Sequence, residues 1–203
     1  MAELDSNIAT RSLPLSSAHG RSAAVRLEPA APASRISLRA NIEDTPVLSK
    51  ALRVTLPTKP KTSSQAGGRT ALWLGPDEWL VIDEGQVGPM IDSGTLVRNG
   101  IVPDGMIADA AAAGVSHSAT YVSHRNTAIL ISGPGAADAI NAGCPQDLSL
   151  NAFPVGACSR TLFGKVEVVL LRTGEEAFRM EVWRSFSDYA FALLAEGARD
   201  AAL

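Results

Sequence analysis

Thr70–Gly100, TALWLGPDEWLVIDEGQVGPMIDSGTLVRNG, and Glu167–Ala198, EVVLLRTGEEAFRMEVWRSFSDYAFALLAEGA, are two versions of one pattern. In each, an apolar run meets a short turn of Gly, Pro or acidic residues. An apolar–aromatic run follows, and then a helical stretch. Each version is also preceded by a strand candidate and a short helix candidate. The doubled plan strand–helix–strand–strand–helix predicts an α+β fold of two related halves. The halves fall at about 33–105 and 115–203, behind an extended N-terminal arm at 1–32.

Working outward from the first copy, SRISLRAN (34–41) alternates Ile36, Leu38 and Ala40 with polar residues, which predicts a strand. Pro46 opens a helix with Val47, Leu48, Ala51 and Leu52 on one face. TKPKTSSQAGGR (58–69) has the composition of a loop. Strands are expected at 72–74 and 79–82 around Gly75-Pro76-Asp77-Glu78, and a helix at 87–99 stopped by Gly100. PDGMIADAAAAG (103–114) reads as a linker.

In the second copy, 118–132 predicts one long strand, strongest at TAILIS (127–132). A helix from Pro134 to Gly143 follows, then a loop at 147–156. A hairpin pivots on Gly164, a strand covers 177–183, and Ser187 is the expected N-cap of the closing helix. Residues 1–34 are rich in Ala, Ser and Pro and lack periodicity, so the arm is expected to order only against a partner's surface.

Composition narrows the function classes. The chain has 203 residues, 46% of them hydrophobic, enough for one large core or two fused half-cores. Net charge is −3 without a basic stretch, which offers no footprint for nucleic acid or an anionic membrane. No apolar run approaches the roughly 18–20 residues that span a bilayer, and the N-terminus lacks a signal-peptide pattern, so a cytoplasmic protein is expected.

The chemistry-bearing residues form no catalytic set. His117 and His124, seven residues apart, would lie on opposite faces of one strand, and His19 is remote; a zinc site needs more ligands at fixed geometry. Cys144 and Cys158 sit in AGCPQD and GACSRT, neither a metal nor a redox motif, and read as small buried residues. Gly133-Pro134-Gly135 follows a strand and opens a helix, yet it has neither the P-loop nor the dinucleotide spacing. Asp83-Glu84 and Glu175-Glu176 read as solvated turn acids. Trp73, Trp79, Trp183, Phe178, Phe186 and Tyr189 read as packing residues, with Trp183-Arg184-Ser185-Phe186 also suited to face a partner. No catalytic, cofactor-binding or metal-ligating residue is assigned, which points to a binding or assembly role.

Tyr121–Leu148, YVSHRNTAILISGPGAADAINAGCPQDL, resembles the folate-binding aminomethyltransferases of the glycine cleavage system. The resemblance implies their T-protein-like folate-binding domain. Those proteins carry an acid pair in the next hairpin, where one Asp contacts tetrahydrofolate. The matching stretch here, Gly164–Leu170, has Glu167 and Val168 in its place, and Tyr121 replaces the Asp of their D-V-S-H segment.

The phrases ALWLGPDEWLVID, VSHRNTAILISGPGAADAINAGCPQDLSLNAFPVGACSRTLFGK and EVWRSFSDYAFALLAEGAR resemble the gamma subunits of heterotetrameric sarcosine oxidases. This likeness runs from about Ser12 to the C-terminus. It implies a non-catalytic accessory subunit among alpha, beta and delta partners. Such complexes oxidatively demethylate sarcosine to glycine, form peroxide and pass the one-carbon unit to tetrahydrofolate. It also implies that FAD, FMN, NAD, zinc and tetrahydrofolate belong to the other subunits, with no cofactor on this chain. The alternative is a free-standing folate-dependent aminomethyltransferase-like protein. An iron–sulfur maturation protein of the same fold would carry a Cys in a K-G-C-Y-like motif, and neither cysteine sits in one.

Overall fold

The computed structural model describes residues 14–15, 18, 20–85 and 105–202. Its elements in chain order are β1 (Gly20–Arg21), β2 (Arg26–Pro29), β3 (Ser34–Ala40), α1 (Thr45–Leu52), β4 (Ser63–Ala66), β5 (Arg69–Gly75) and β6 (Glu78–Asp83). Then come α2 (Gly105–Ala111), β7 (His117–Tyr121), β8 (Asn126–Ser132), α3 (Ala136–Asn141), β9 (Cys158–Phe163), β10 (Val166–Gly174), β11 (Ala177–Trp183) and α4 (Ser187–Asp200). The helix expected at 87–99 lies outside the described residues.

Two antiparallel sheets form, ordered β4-β5-β6-β3-β7 and β9-β10-β11-β8-β2-β1. The repeat explains the shared order. Strand β3 matches β8, β4 matches β9, and the hairpin β5–β6 matches β10–β11. Each hairpin carries the same irregularity before its turn, between Trp73 and Gly75 and between Arg172 and Gly174. Helix α1 follows β3 as α3 follows β8. The first half therefore gains a strand that was not expected, β4, because 58–69 is not all loop, whereas its counterpart β9 was expected as one arm of the Gly164 hairpin. Gly67 and Gly68, at φ 57° and 84°, form a two-residue turn that pairs Ala66 with Arg69. Glycine supplies this left-handed geometry without steric cost.

The sheets stack face to face between helices. Leu72, Leu80 and Ile82 of the first sheet meet Val169 and Leu171 of the second, with Ala33, Val122 and Cys158, in one buried layer. On the outer face of the first sheet, Ile36, Leu38, Trp79 and Val81 pack against Leu48 and Leu52 of α1 and Met106 and Ala110 of α2. On the other outer face, Val168, Leu170, Phe178 and Met180 pack under α3 and α4. Strands β6 and β10 are covered on both faces and read as near-continuous apolar runs, whereas the inner strands β3 and β11 alternate. Helices α3 and α4 touch backbone to backbone: a Cβ on Gly197 would stand 2.5 Å from the Ala139 carbonyl oxygen.

Several expectations are corrected. The stretch 118–132 is two strands in different sheets, β7 beside β3 and β8 beside β11, broken where Arg125 and Asn126 turn back on the Val122 carbonyl. The first sheet's last strand in chain order is therefore β7, and the chain re-enters the second sheet at β8. The linker at 103–114 contains helix α2. The arm drawn at 1–32 is folded in its last part: β2 pairs with β8 from Arg26↔Ser132 to Pro29↔Ile129, and Val25 and Leu27 are buried in the second core. A free edge of β8 accepts the strand and the apolar pair leaves water, which composition alone does not reveal. Ser187 is the first helical residue, and its hydroxyl donates back to the Arg184 carbonyl instead of capping forward.

Candidate functional site

The buried layer between the sheets holds polar chemistry that the sequence reading missed. Along β11, Phe178, Met180 and Val182 face the helices, so period two turns Arg179 and Glu181 toward the opposite sheet. Along β3, Ile36 and Leu38 face α1, and Arg35 turns inward likewise. Arg35 donates Nε to Glu181 Oε2 at 2.6 Å and Nη2 to Oε1 at 3.2 Å. Its Nη1 donates to the Ala33 carbonyl at 2.9 Å. Arg179 donates Nε to Glu181 Oε1 at 2.8 Å and Nη1 to Glu84 Oε1. The run Arg35–Glu181–Arg179–Glu84 thus crosses the layer from β3 to the end of β6. The missed signal was local: a charge at every second position of a strand otherwise apolar on its other face.

A second buried ion pair ties α2 to the hairpin. Arg69 donates Nε to Asp83 at 2.7 Å, and Nη1 to Asp109 at 2.8 Å and to the Leu52 carbonyl at 2.8 Å. Burial pulls the Arg69 pKa down, but its hydrogen bonds to the Asp83 and Asp109 carboxylates outweigh it and leave it raised. Asp83 is 4% exposed, which corrects its reading as a solvated turn acid. Glu84 alone of that pair is half-exposed. Glu175 and Glu176 do lie in the β10–β11 turn, where the Glu175 carbonyl accepts from Arg172.

The ion run joins two openings at opposite ends of the layer. At the β10 start, a shallow groove is lined by Glu78, Arg160, Glu167, Arg125 and Trp183. Glu167 is the sole acid at the place where the aminomethyltransferases carry a pair. It is half-exposed and stands 3.7 Å from Arg160, which also binds Glu78; Val168 beside it points into the core. At the β10 end lies a cavity of about 650 Å³ whose walls include Glu84, Arg172 and Arg179.

The remaining candidates are separated from both openings or are structural. His117 opens β7 with Nδ1 2.8 Å from the Val115 carbonyl, whereas His124 lies beyond the strand's far end, its ring 6.0 Å from that of Tyr121. His19 lies outside the described residues. Among the described residues, no group of three or more His, Cys, Asp or Glu could hold a metal ion. Cys144 is buried, with Sγ 3.8 Å from Thr161 Oγ1. Cys158 donates Sγ–H to the Thr62 carbonyl at 3.1 Å, and burial pushes its pKa up to about 12, so the thiol stays protonated at neutral pH.

The turn Gly133-Pro134-Gly135 is filled by the chain itself. Gly133, at φ 117°, passes so close to Ala24 that a Cβ would stand 2.3 Å from its carbonyl oxygen. That same oxygen accepts from the Gly135 N–H at 3.1 Å. Trp79 is fully buried and donates Nε1 to the Pro57 carbonyl at 2.7 Å. Trp183 and Phe186 are exposed instead, stacked at 6.1 Å, with the Arg125 guanidinium 5.0 Å from the Trp183 ring centre. No helix among the described residues is long and apolar enough to cross a membrane.

Comparison with known proteins matches this architecture. A sarcosine oxidase subunit gamma from Arthrobacter sp is 32% identical over 132 residues, 64% of this chain and 58% of that protein. The subunit gamma of Corynebacterium sp. (strain U-96) is 30% identical over 171 residues, 82% of this chain and 75% of that protein. The alignment with the Arthrobacter relative thus spans little more than half of that protein's length.

Among solved structures, a heterotetrameric sarcosine oxidase from Corynebacterium sp. U-96 in complex with pyrrole 2-carboxylate contains a chain that superposes with a TM-score of 0.73. Identity is 24%, covering 88% of this chain and 86% of that one. The glycine cleavage system aminomethyltransferase T from Bartonella henselae superposes with a TM-score of 0.58 at 14% identity, covering 88% of this chain and 50% of its own. These likenesses show the fold: the T-protein-like domain of two halves, as the motifs implied. Residues 40–200 match the family described as sarcosine oxidase, gamma subunit family, and on that match this chain belongs to it.

Proposed function

We propose that this chain serves as the accessory gamma subunit of a cytoplasmic heterotetrameric sarcosine oxidase. The complex, with alpha, beta and delta partners, oxidatively demethylates sarcosine to glycine, forms peroxide and passes the one-carbon unit to tetrahydrofolate. FAD, FMN, NAD, zinc and tetrahydrofolate reside on the other subunits. This chain contributes structure and contacts rather than reacting groups. The family match over residues 40–200 carries the reading.

Two features of the surface support it. The acid pair that serves folate chemistry in the aminomethyltransferase fold is reduced to the half-exposed Glu167 beside the buried Val168. The exposed Trp183–Phe186 stack with Arg125 has the aromatic and arginine composition of interface anchors. Co-expression with the three partner chains, followed by native mass and flavin absorbance, tests the proposal. A yellow four-chain particle active on sarcosine is expected. A chain that purifies alone and transfers one-carbon units from tetrahydrofolate unaided would establish the free-standing aminomethyltransferase instead.

A further inference from the structure

The 650 Å³ cavity at the Glu84 end of the ion run has the size of a small-molecule site and the lining of one. Its floor is apolar, with Ile82 and Leu171, and the exposed side chains of Leu130 and Val155 stand at its walls. Ser64, Gln65, Thr70 and Thr173 also line it.

The charges on the wall do not balance. Arg179 is 95% buried, and only two of its three nitrogens are used: Nε on Glu181 and Nη1 on Glu84. Its Nη2 is buried and donates to no group among the described residues. A stranded donor of this kind is rare in folded proteins, where buried polar groups are nearly always paired. Arg172, 96% buried, donates Nη1 to the Leu148 and Phe153 carbonyls and meets no carboxylate among the described residues. The run Arg35–Glu181–Arg179–Glu84 balances two charges against two, so Arg172 is the surplus cation on a wall whose carboxylate, among the described residues, is Glu84. That carboxylate is the loosest part of the wall: its side chain is 54% exposed, and among the described residues its ion pair is with Arg179 Nη1 alone.

We propose that this cavity binds a small carboxylate carrying an apolar body. The ligand's two oxygens take the Nη1 and Nη2 edge of Arg179 as a bidentate pair, and Glu84 swings out to solvent. A guanidinium edge matches a carboxylate in both geometry and charge, so the ligand uses two donors where Glu84 uses one. The surplus charge of Arg172 favours the anion in a wall of low dielectric. The apolar body lies against Ile82, Leu171, Leu130 and Val155. Glu84 is then an internal stand-in that keeps Arg179 partnered when the cavity is empty.

The inference is independent of the subunit role and is tested on the full chain alone. Benzoate is titrated by isothermal calorimetry, with benzamide as its neutral counterpart, into the wild type and the variants Glu84→Gln and Arg179→Lys. Saturable benzoate binding, about tenfold or more tighter than benzamide, is expected. Glu84→Gln should tighten benzoate several-fold by removing the competing carboxylate. Arg179→Lys should weaken it about tenfold or more, because a point charge replaces the fork. A purely structural role for the ion run would leave the benzoate-to-benzamide ratio unmoved. If Arg179→Lys does not fold, Glu84→Gln on the exposed rim still decides. No saturable benzoate binding up to about 10 mM, equal affinity for benzamide, or unchanged or weaker benzoate binding in Glu84→Gln each overturns the proposal.

Discussion

Glu181→Leu should be among the most damaging single changes in this chain. The Glu181 carboxylate holds two guanidiniums, Arg35 through both oxygens and Arg179 through one. The side chains of Arg35 and Glu181 are 3% and 1% exposed, so solvent screening does little to soften the loss. Removing one member of a buried ion pair costs about 3–5 kcal/mol, because the remaining charge is left uncompensated. At about 2–4 °C per kcal/mol for a chain of this size, the melting temperature should fall by roughly 6–20 °C.

The same reasoning makes an opposite prediction for the double change Arg35→Met with Glu181→Leu. Replacing a buried ion pair by apolar residues of similar volume is often neutral or stabilising, and Arg179 keeps Glu84. The double variant should therefore recover at least half of the single variant's loss. Urea and thermal melts followed by the fluorescence of the buried Trp79 would measure both. If Glu181→Leu lies within about 1 kcal/mol of the wild type, or if the double loss equals the sum of the two single losses, the account of this layer is wrong.

Cys158 should be unreactive toward a disulfide reagent at pH 8 in the folded chain and react only as fast as the chain opens. Its folded pKa of about 12 lies above the unfolded thiol value near 8.5. Between those values the unfolded state has lost a proton that the folded state keeps, so stability falls as pH rises. The slope from this group is up to about 1.4 kcal/mol per pH unit; Cys158→Ala should remove that component, read as the difference between two pH–stability curves. Deleting residues 1–32 should leave the chain insoluble or partly unfolded, because it strips β2 from β8 and takes Val25 and Leu27 from the core. Burial of those two side chains contributes about 1.5–3 kcal/mol each, and recovery of a soluble, cooperatively melting fragment would contradict this. Glu167→Gln should change stability by less than about 1 kcal/mol, since its pair with Arg160 is half-exposed. Turnover and one-carbon transfer by the assembled complex should stay within a few-fold of the wild type. A loss of about 10²-fold with assembly intact would assign Glu167 a catalytic role.

What the sequence determined by itself was local and periodic. Turn chemistry placed the hairpins: Gly75-Pro76-Asp77 between β5 and β6, and Gly164 between β9 and β10, each close two strands that are neighbours along the chain. The doubled pattern set the two-half plan, and several separate phrases carried the family. Missed pieces of local structure were the Gly67-Gly68 hairpin and helix α2, because neighbouring Ser, Lys and Pro, or a run of Ala beside Pro and Gly, read as loop and linker.

Only the tertiary structure decided which edges the sheets would close with. Strand β7 joins β3 of the first sheet, while β2, which precedes that sheet in sequence, joins β8 of the second. Nothing within either strand specifies the choice; it depends on which apolar edge stands open once the halves have stacked. The same holds for the ion run. Arg35 and Glu181 are 146 positions apart and look like surface charges on amphipathic strands. Stacking one sheet on the other removes water from both, and a charge that could have stayed solvated must then find its opposite.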